Sequence, residues 1–371
     1  MSDQFPTALS SGVILAGQYV IDRPLGQGGF GITYLAHDHK TSEKVVIKEF
    51  FPDSLASRTG HTDVTAFSGE RGEHFEYGKG TFLQEAETLA EFLGNKNIVK
   101  IYSYFEENGT AYFVMEYVDG VSLDVYLKNK GGRISYEETE KYLVPIMEAL
   151  GAVHKKGIIH RDVTPDNIYI ANDGTVKLLD FGAARYSLGD KSRSLDVVLK
   201  HGFAPKEQYT RHGRQGPYTD VYAVAASFYF CMTGKRPPDS IDRLEHDEII
   251  FPSAMGINIP RNKEAAIMKG LSVQPKDRFQ TMEEFKSALL NSQFGQPVQQ
   301  IFFGNPNGGI NASQPGMNAG MQGGQMPVQG AGQMYGMQGG QRQMPPMGQN
   351  QSPQMQSPQR QVPPMGQNQG P

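Results

Sequence analysis

The chain has 371 residues with 35 basic and 39 acidic side chains, yet 291–371 contains no Asp, Glu or Lys and only Arg342 and Arg360. That leaves 33 bases against 39 acids in 1–290, a formal charge of −6, without the basic surplus that favours nucleic-acid binding. A single cysteine, Cys231, excludes an intramolecular disulfide framework and cysteine-type zinc sites, and it suggests a reducing compartment.

The first residues lack a basic n-region, and their apolar run Val13–Ala16 is too short for a signal peptide. No stretch reaches the ~18 uncharged apolar residues of a membrane span. The expectation is a soluble, cytoplasmic protein. Residues 1–14 are expected to be an N-terminal extension. Tyr19–Ile21 running into Leu25, Ile32–Ala36 and Val45–Lys48 read as three short strands of an antiparallel meander. Residues 52–79, rich in Gly, Ser, Thr and charge, read as a long loop or insertion. From Thr81 to Leu93 apolar residues recur at helical spacing. Val99–Phe105 and Ala111–Tyr117 follow as strands around the turn Glu106-Glu-Asn-Gly109.

Beyond Gly120 the texture is helical. Glu137–His154 carries Tyr142, Leu143, Ile146, Met147, Leu150 and Val153 on one face, and Val221–Met232 reads as a buried core helix that includes Cys231. Ile168–Ile170 and Val176–Leu179 form a hairpin about Asn172-Asp-Gly174. Strands first and helices afterwards predict an α+β unit, a small sheet lobe to about residue 118 and a larger helical lobe over 119–290. The Gln, Gly, Met, Pro and Asn of 291–371 carry too little aliphatic and aromatic content to offset ordering entropy, so a disordered tail is expected. Within it Arg342–Gln351 recurs as Arg360–Gln369 with Val for Met. The tail reads either as a region for an unknown partner or as a solvated linker.

Gly26-Gln27-Gly28-Gly29-Phe30-Gly31 lets backbone N–H groups approach phosphate oxygens without Cβ obstruction. A dinucleotide loop of this spacing opens a helix, whereas this one precedes a strand, so it reads as a strand–turn–strand lid. Lys48, just after that lid, is placed for a phosphate; Glu85 is its candidate carboxylate partner, with Glu87 an alternative on another helical face. In His160-Arg161-Asp162-Val-Thr-Pro-Asp-Asn167, Asp162 can accept a proton from an attacking hydroxyl. Asn167 and Asp180 of Asp180-Phe181-Gly182 can supply oxygens to Mg²⁺.

Over roughly residues 15–290 this motif set resembles the eukaryotic-like (Hanks-type) serine/threonine protein kinases, most closely a bacterial member. The resemblance implies a bilobal kinase fold with ATP in the cleft, Mg²⁺ or alternatively Mn²⁺, and serine or threonine hydroxyls of proteins as acceptors. By it Gly26, Gly28 and Gly31 cover the phosphates, Lys48 pairs with Glu85 and holds the α/β-phosphates, Asp162 is the base, and Asn167 and Asp180 bind the metal. Met115 is the gatekeeper of a hinge in which the backbones of Glu116 and Val118 meet adenine. Glu207 closes the activation segment with Arg278 as ion-pair partner, and Asp220 anchors the catalytic loop.

Two departures belong together. The family usually has Lys two residues after the catalytic Asp, where this chain has Thr164, and usually has Thr where this chain has Lys200. The reading is a swap in which Lys200 fills the missing cationic site and Thr164 bonds to it; the alternative is a solvated Lys200. Thr33 and Tyr169 stand where aliphatic residues usually sandwich adenine. Ser187, Ser192 and Ser194 are the serine candidates for activation-segment phosphorylation opposite Arg161, or Asp196 supplies the negative charge permanently. The other readings are a pseudokinase that holds nucleotide without turnover, a small-molecule kinase of related fold, and an interaction protein acting through its tail.

Overall fold

The computed structural model describes residues 5–181, 199–210 and 213–295. Expectations for Ser187, Ser192, Ser194, Asp196 and the tail beyond 295 lie outside the described residues. The front half is a six-stranded antiparallel sheet in the order β1-β2-β3-β4-β8-β7. Its strands are β1 (Ile14–Leu15), β2 (Tyr19–Gly28), β3 (Gly31–Asp38), β4 (Lys44–Phe50), β7 (Ile101–Glu107) and β8 (Thr110–Glu116). β3 alternates strictly between buried and half-buried residues, the period of a strand with one face on the core. Gly26 pairs with Thr33 and Gly28 with Gly31, so the glycine cluster is the β2–β3 turn and its two flanks.

Residues 52–79 correct the loop expectation. They form a second hairpin, β5 (Ala56–Thr59) with β6 (Asp63–Ala66), and the first turns of α1 (Glu70–Ala90), which begins well ahead of Thr81. The glycines that read as loop serve close packing instead: a Cβ at Gly72 would meet the Phe67 carbonyl oxygen at 2.5 Å. Leu55, Ala56 and Val64 of this region are buried with the sheet, as is Leu9 of the N-terminal segment.

After β8 come β9 (Gly120–Ser122), α2 (Leu123–Asn129) and α3 (Tyr136–His154), then the β10 (Ile168–Ala171) and β11 (Val176–Leu178) hairpin. Ser122 and Ser135 cap α2 and α3 by accepting from the backbone N–H of Val125 and Glu138. α4 (Pro217–Thr233), α5 (Asp242–Glu245), α6 (Arg261–Gly270) and α7 (Met282–Leu290) complete the described part. α4 is apolar on nearly all sides and is the central helix of this half, packed against α3, α6 and α7. It ends at Gly234, whose φ of 69° satisfies the left-handed cap. The expected α+β architecture, a β-rich half followed by a helical half, is present. Among the described residues no helix is long and apolar enough to cross a membrane.

Candidate active site

A cavity of about 300 Å³ opens beneath the β2–β3 turn, bordered by Gly26–Gly31, Lys48, Glu85, Asp162 and Asp180. Each residue arrives from a different element. Gly31 must lack a side chain, because a Cβ there would lie 2.3 Å from the Glu49 carbonyl oxygen of β4. Lys48 leaves the same strand on its cleft side and donates to Asp180 Oδ1 at 2.9 Å. Glu85, on α1, is buried and borders the same cavity as Lys48. Thr33 lines the cavity as well. Met115, Glu116 and Val118 lie at and just beyond the end of β8, outside this lining. Glu116 pairs with Lys177 at 2.6 Å.

The loop between α3 and β10 is fastened from below. The buried Asp220 of α4 accepts from the backbone N–H groups of His160 and Arg161, both at 2.8 Å, and from His154 Nε2 at 2.7 Å. Burial alone would raise the Asp220 carboxyl, but the His154 hydrogen bond and the backbone N–H groups that it accepts hold it below the usual range. Ser227 of α4 donates to the Val163 carbonyl at 3.2 Å. These contacts hold Arg161 at φ 69°, a left-handed conformation that a non-glycine residue keeps only when its surroundings over-determine it. Asp180, at φ 55°, is the other such residue in the site.

Asn167 donates from Nδ2 to the Asp162 carbonyl at 2.8 Å and to Asp162 Oδ2 at 3.0 Å. The amide thereby fixes the rotamer of the aspartate, and both of these bonds use its nitrogen rather than its oxygen. His160 donates from Nε2 to the Leu179 carbonyl at 2.9 Å and packs its ring 4.3 Å from that of Phe181. Burial holds its pKa down, so the imidazole stays neutral. For Asp180, burial works against the charge, but the Lys48 ammonium and its hydrogen bond, with the Lys200 ammonium behind them, keep the carboxyl below its usual value.

Lys200 comes from the turn that follows residue 199. Its Nζ donates to Thr164 Oγ1 at 2.9 Å and to Asp166 Oδ2 at 2.5 Å, and lies 3.4 Å from Asp162 Oδ2. Its carbonyl accepts from the N–H groups of Phe203 and Ala204, both at 3.0 Å, and Ser240 fastens the Ala204 carbonyl at 2.8 Å. Lys200 therefore sits on a fixed turn rather than a solvated loop. Glu207, further along, forms a bidentate pair with Arg278 at 2.7 and 3.0 Å, both side chains nearly fully buried.

Sequence reasoning passed over two partners. Asp166 lies inside the quoted motif, and its negative charge beside a lysine-less loop was the available signal. His154 closes a helix read only for its apolar face. Arg161, read as a phosphate partner, donates from Nε to Gln215 at 2.9 Å.

The protein kinase domain family matches residues 19–292. The chain is 32% identical over 287 residues to serine/threonine-protein kinase PknA of Nostoc sp., covering 74% of this chain and 47% of that protein. It is 31% identical to serine/threonine-protein kinase F of Synechocystis sp., covering 78% of this chain and 58% of the other. The chain thus spans about half the length of these curated relatives. Among solved structures, PpkA-294 in its apo form superposes with a TM-score of 0.67 at 33% identity, covering 76% of this chain and 99% of that one. The kinase domain of Mycobacterium tuberculosis PknI shares the fold, with a TM-score of 0.56 at 22% identity. With the lid, the cleft and these relatives together, the chain belongs to the protein kinase family, alongside the Hanks-type serine/threonine kinases of bacteria.

Proposed function

We propose that the chain transfers the γ-phosphoryl group of ATP to a serine or threonine hydroxyl of a protein. The observation that carries this reading is the meeting of Lys48, Asp162, Asn167, Asp180 and Lys200 around one cleft roofed by a glycine lid. In this reading the lid amides and Lys48 hold the α- and β-phosphates. Asp162, oriented by Asn167, accepts the proton of the acceptor hydroxyl. Asn167 and Asp180 are hard oxygen donors suited to Mg²⁺ or Mn²⁺, which when bound would neutralise charge on the phosphate oxygens. Such transfer depends on positioning and electrostatic stabilisation rather than covalent work by the protein.

Lys200 takes the place of a catalytic-loop lysine in this scheme. Its ammonium lies within reach of both Asp162 and the hydroxyl of Thr164, and this supports its filling the role of the family's usual lysine. Charge and hydrogen bonding at the γ-phosphate are then kept in space although exchanged in sequence. Lys200 would act there as a cation for the transferred group, while Asp166 keeps its side chain extended across the loop.

The full chain, incubated with Mg²⁺, γ-labelled ATP and a general serine/threonine protein acceptor, tests the reading. Transfer by the natural chain, its loss in Lys48→Met and Asp162→Asn, and label on serine or threonine are the expected results. Bound nucleotide without transfer would overturn it in favour of a nucleotide-holding scaffold.

A further inference from the structure

The outer face of the sheet, opposite the cleft, carries a buried polar cluster that phosphoryl transfer does not use. At its centre is Glu49, the residue after Lys48, whose side chain is fully buried. Tyr34 of β3 donates to Glu49 Oε2 at 2.6 Å, and Tyr112, its cross-strand partner on β8, donates to Oε1 at 2.8 Å. Arg58 of β5 donates from Nη2 to Oε2 at 2.6 Å and places its guanidinium 4.9 Å from the centre of the Phe51 ring. Burial, with the Glu49 charge next, pushes both phenols up, so they remain neutral donors.

This cluster continues to the N-terminal segment and from there to the lid. Arg58 Nε donates to the Thr7 carbonyl, and the Leu9 N–H donates to the Tyr34 hydroxyl at 3.1 Å. Thr7 Oγ1 and the side-chain amide of Gln27 exchange hydrogen bonds at 3.0 and 3.2 Å. Gln27 lies between Gly26 and Gly28, at the point where β2 becomes the lid. The far flank of the lid is separately fixed to the residue just after β4, through the Phe51 N–H to the Phe30 carbonyl at 3.1 Å. A turn rich in glycine has little conformational preference of its own, so its height over the cavity is set by what grips its flanks.

We propose that Thr7 is a positioning residue for nucleotide: its hydroxyl latches the lid through Gln27, and Arg58 and Glu49 anchor the latch to the strand that bears Lys48. The inference rests on the reading of the lid as a nucleotide cover. It assigns to the segment before the sheet a role in setting ATP affinity that the cleft residues alone do not carry. Two variants separate hydroxyl from shape. Thr7→Val keeps the volume and removes the hydrogen bonds, whereas Thr7→Ser keeps them.

The test uses the full chain with Mg²⁺ and ATP, following nucleotide affinity by titration, turnover by labelled transfer, and hydrogen exchange of the lid amides without nucleotide. Thr7→Val should weaken ATP binding roughly three- to ten-fold, the range of one net hydrogen bond, with kcat within about two-fold of the natural chain. Its lid amides should exchange faster, its melting temperature should stay near that of the natural chain, and Thr7→Ser should restore affinity and exchange. Unchanged affinity and lid exchange in Thr7→Val would overturn the proposal, as would an equal loss in Thr7→Ser. A natural chain that titrates ATP normally but transfers nothing would defeat the functional reading and leave the latch standing. A natural chain that binds no ATP would overturn both.

Discussion

Lys200 and Thr164 stand 36 residues apart in the chain, yet the ammonium of one donates to the hydroxyl of the other at 2.9 Å. A carboxylate, Asp166, holds the same ammonium at 2.5 Å, and burial of Asp166 is outweighed by Lys200, which keeps that carboxyl below its usual value. The pair is therefore built as a unit, and exchanging its members is more informative than removing either. Lys200→Thr should lower kcat by about two orders of magnitude, the usual cost of losing one charge-stabilising donor. Adding Thr164→Lys to that variant should recover part of the loss, because the cation returns to the same space. Steady-state transfer assays on the two single variants and the double variant give the comparison, and no recovery would mean that the two positions are not interchangeable.

The Glu207–Arg278 pair makes a prediction about stability. Arg278 also donates to the carbonyls of Ser272, Val273 and Tyr218, and stacks 4.9 Å from the Tyr222 ring. Arg278→Leu leaves Glu207 buried without its cation, and breaking such a pair on one side costs about 3–5 kcal/mol. Urea unfolding should show that loss. Glu207→Gln/Arg278→Met should be less destabilised than Arg278→Leu, since neither charge is then stranded.

Gly31 predicts a local effect. An added methyl would meet the Glu49 carbonyl oxygen at 2.3 Å, and backbone cannot yield as a side-chain tip does. Gly31→Ala should displace the lid from β4 at a cost of about 1–3 kcal/mol. ATP titration should show affinity reduced roughly ten-fold or more, and Gly29→Ala, whose added Cβ meets nothing within 4 Å, should change it far less.

Stability should also fall on acidification, with His160 contributing. Its Nδ1 accepts from the Asp162 N–H at 3.2 Å and its Nε2 donates to Leu179, so the folded chain has no place for a second ring proton. Burial lowers its pKa below the usual imidazole value of about 6.5, and an unfolded chain takes up the proton near that pH. Below it the unfolded state binds more protons, so this contribution is complete above about pH 6.5 and declines as the pH falls, by at most ~1.4 kcal/mol per unit. Urea midpoints at pH 7.5 and 5.5 should differ less in His160→Gln than in the natural chain. The lowered Asp220 carboxyl acts in the same direction at lower pH, since its stabilisation is lost as pH falls through its folded value.

The short strings around Lys48, Asp162, Asn167 and Asp180 were legible because their chemistry is local: each carries its own turn signal or strand pattern. The contact between Thr164 and Lys200 was legible for a different reason, since a missing charge and a surplus one stood out together. The β5–β6 hairpin and the early start of α1 were not legible. Their glycines and polar residues mimic a loop, and only packing against the Phe67 carbonyl and the outer sheet face explains them. The Thr7–Gln27 link was hidden too, because an N-terminal threonine and a lid glutamine carry no pattern that joins them across 20 residues.

The position of Lys200 has one further consequence. Lys48, Asp162, Asn167 and Asp180, to which the proposed function assigns nucleotide, base and metal, are carried by the sheet and by the stretch from α3 to just past β11, whereas Lys200 arrives on a separate turn whose Ala204 carbonyl is held by Ser240. Under the proposed function, occupancy of the cleft and competence to react would then depend on two different pieces of chain. A ligand or partner that shifts only the 199–204 turn would act as a clutch, leaving nucleotide engaged while disconnecting the transfer step.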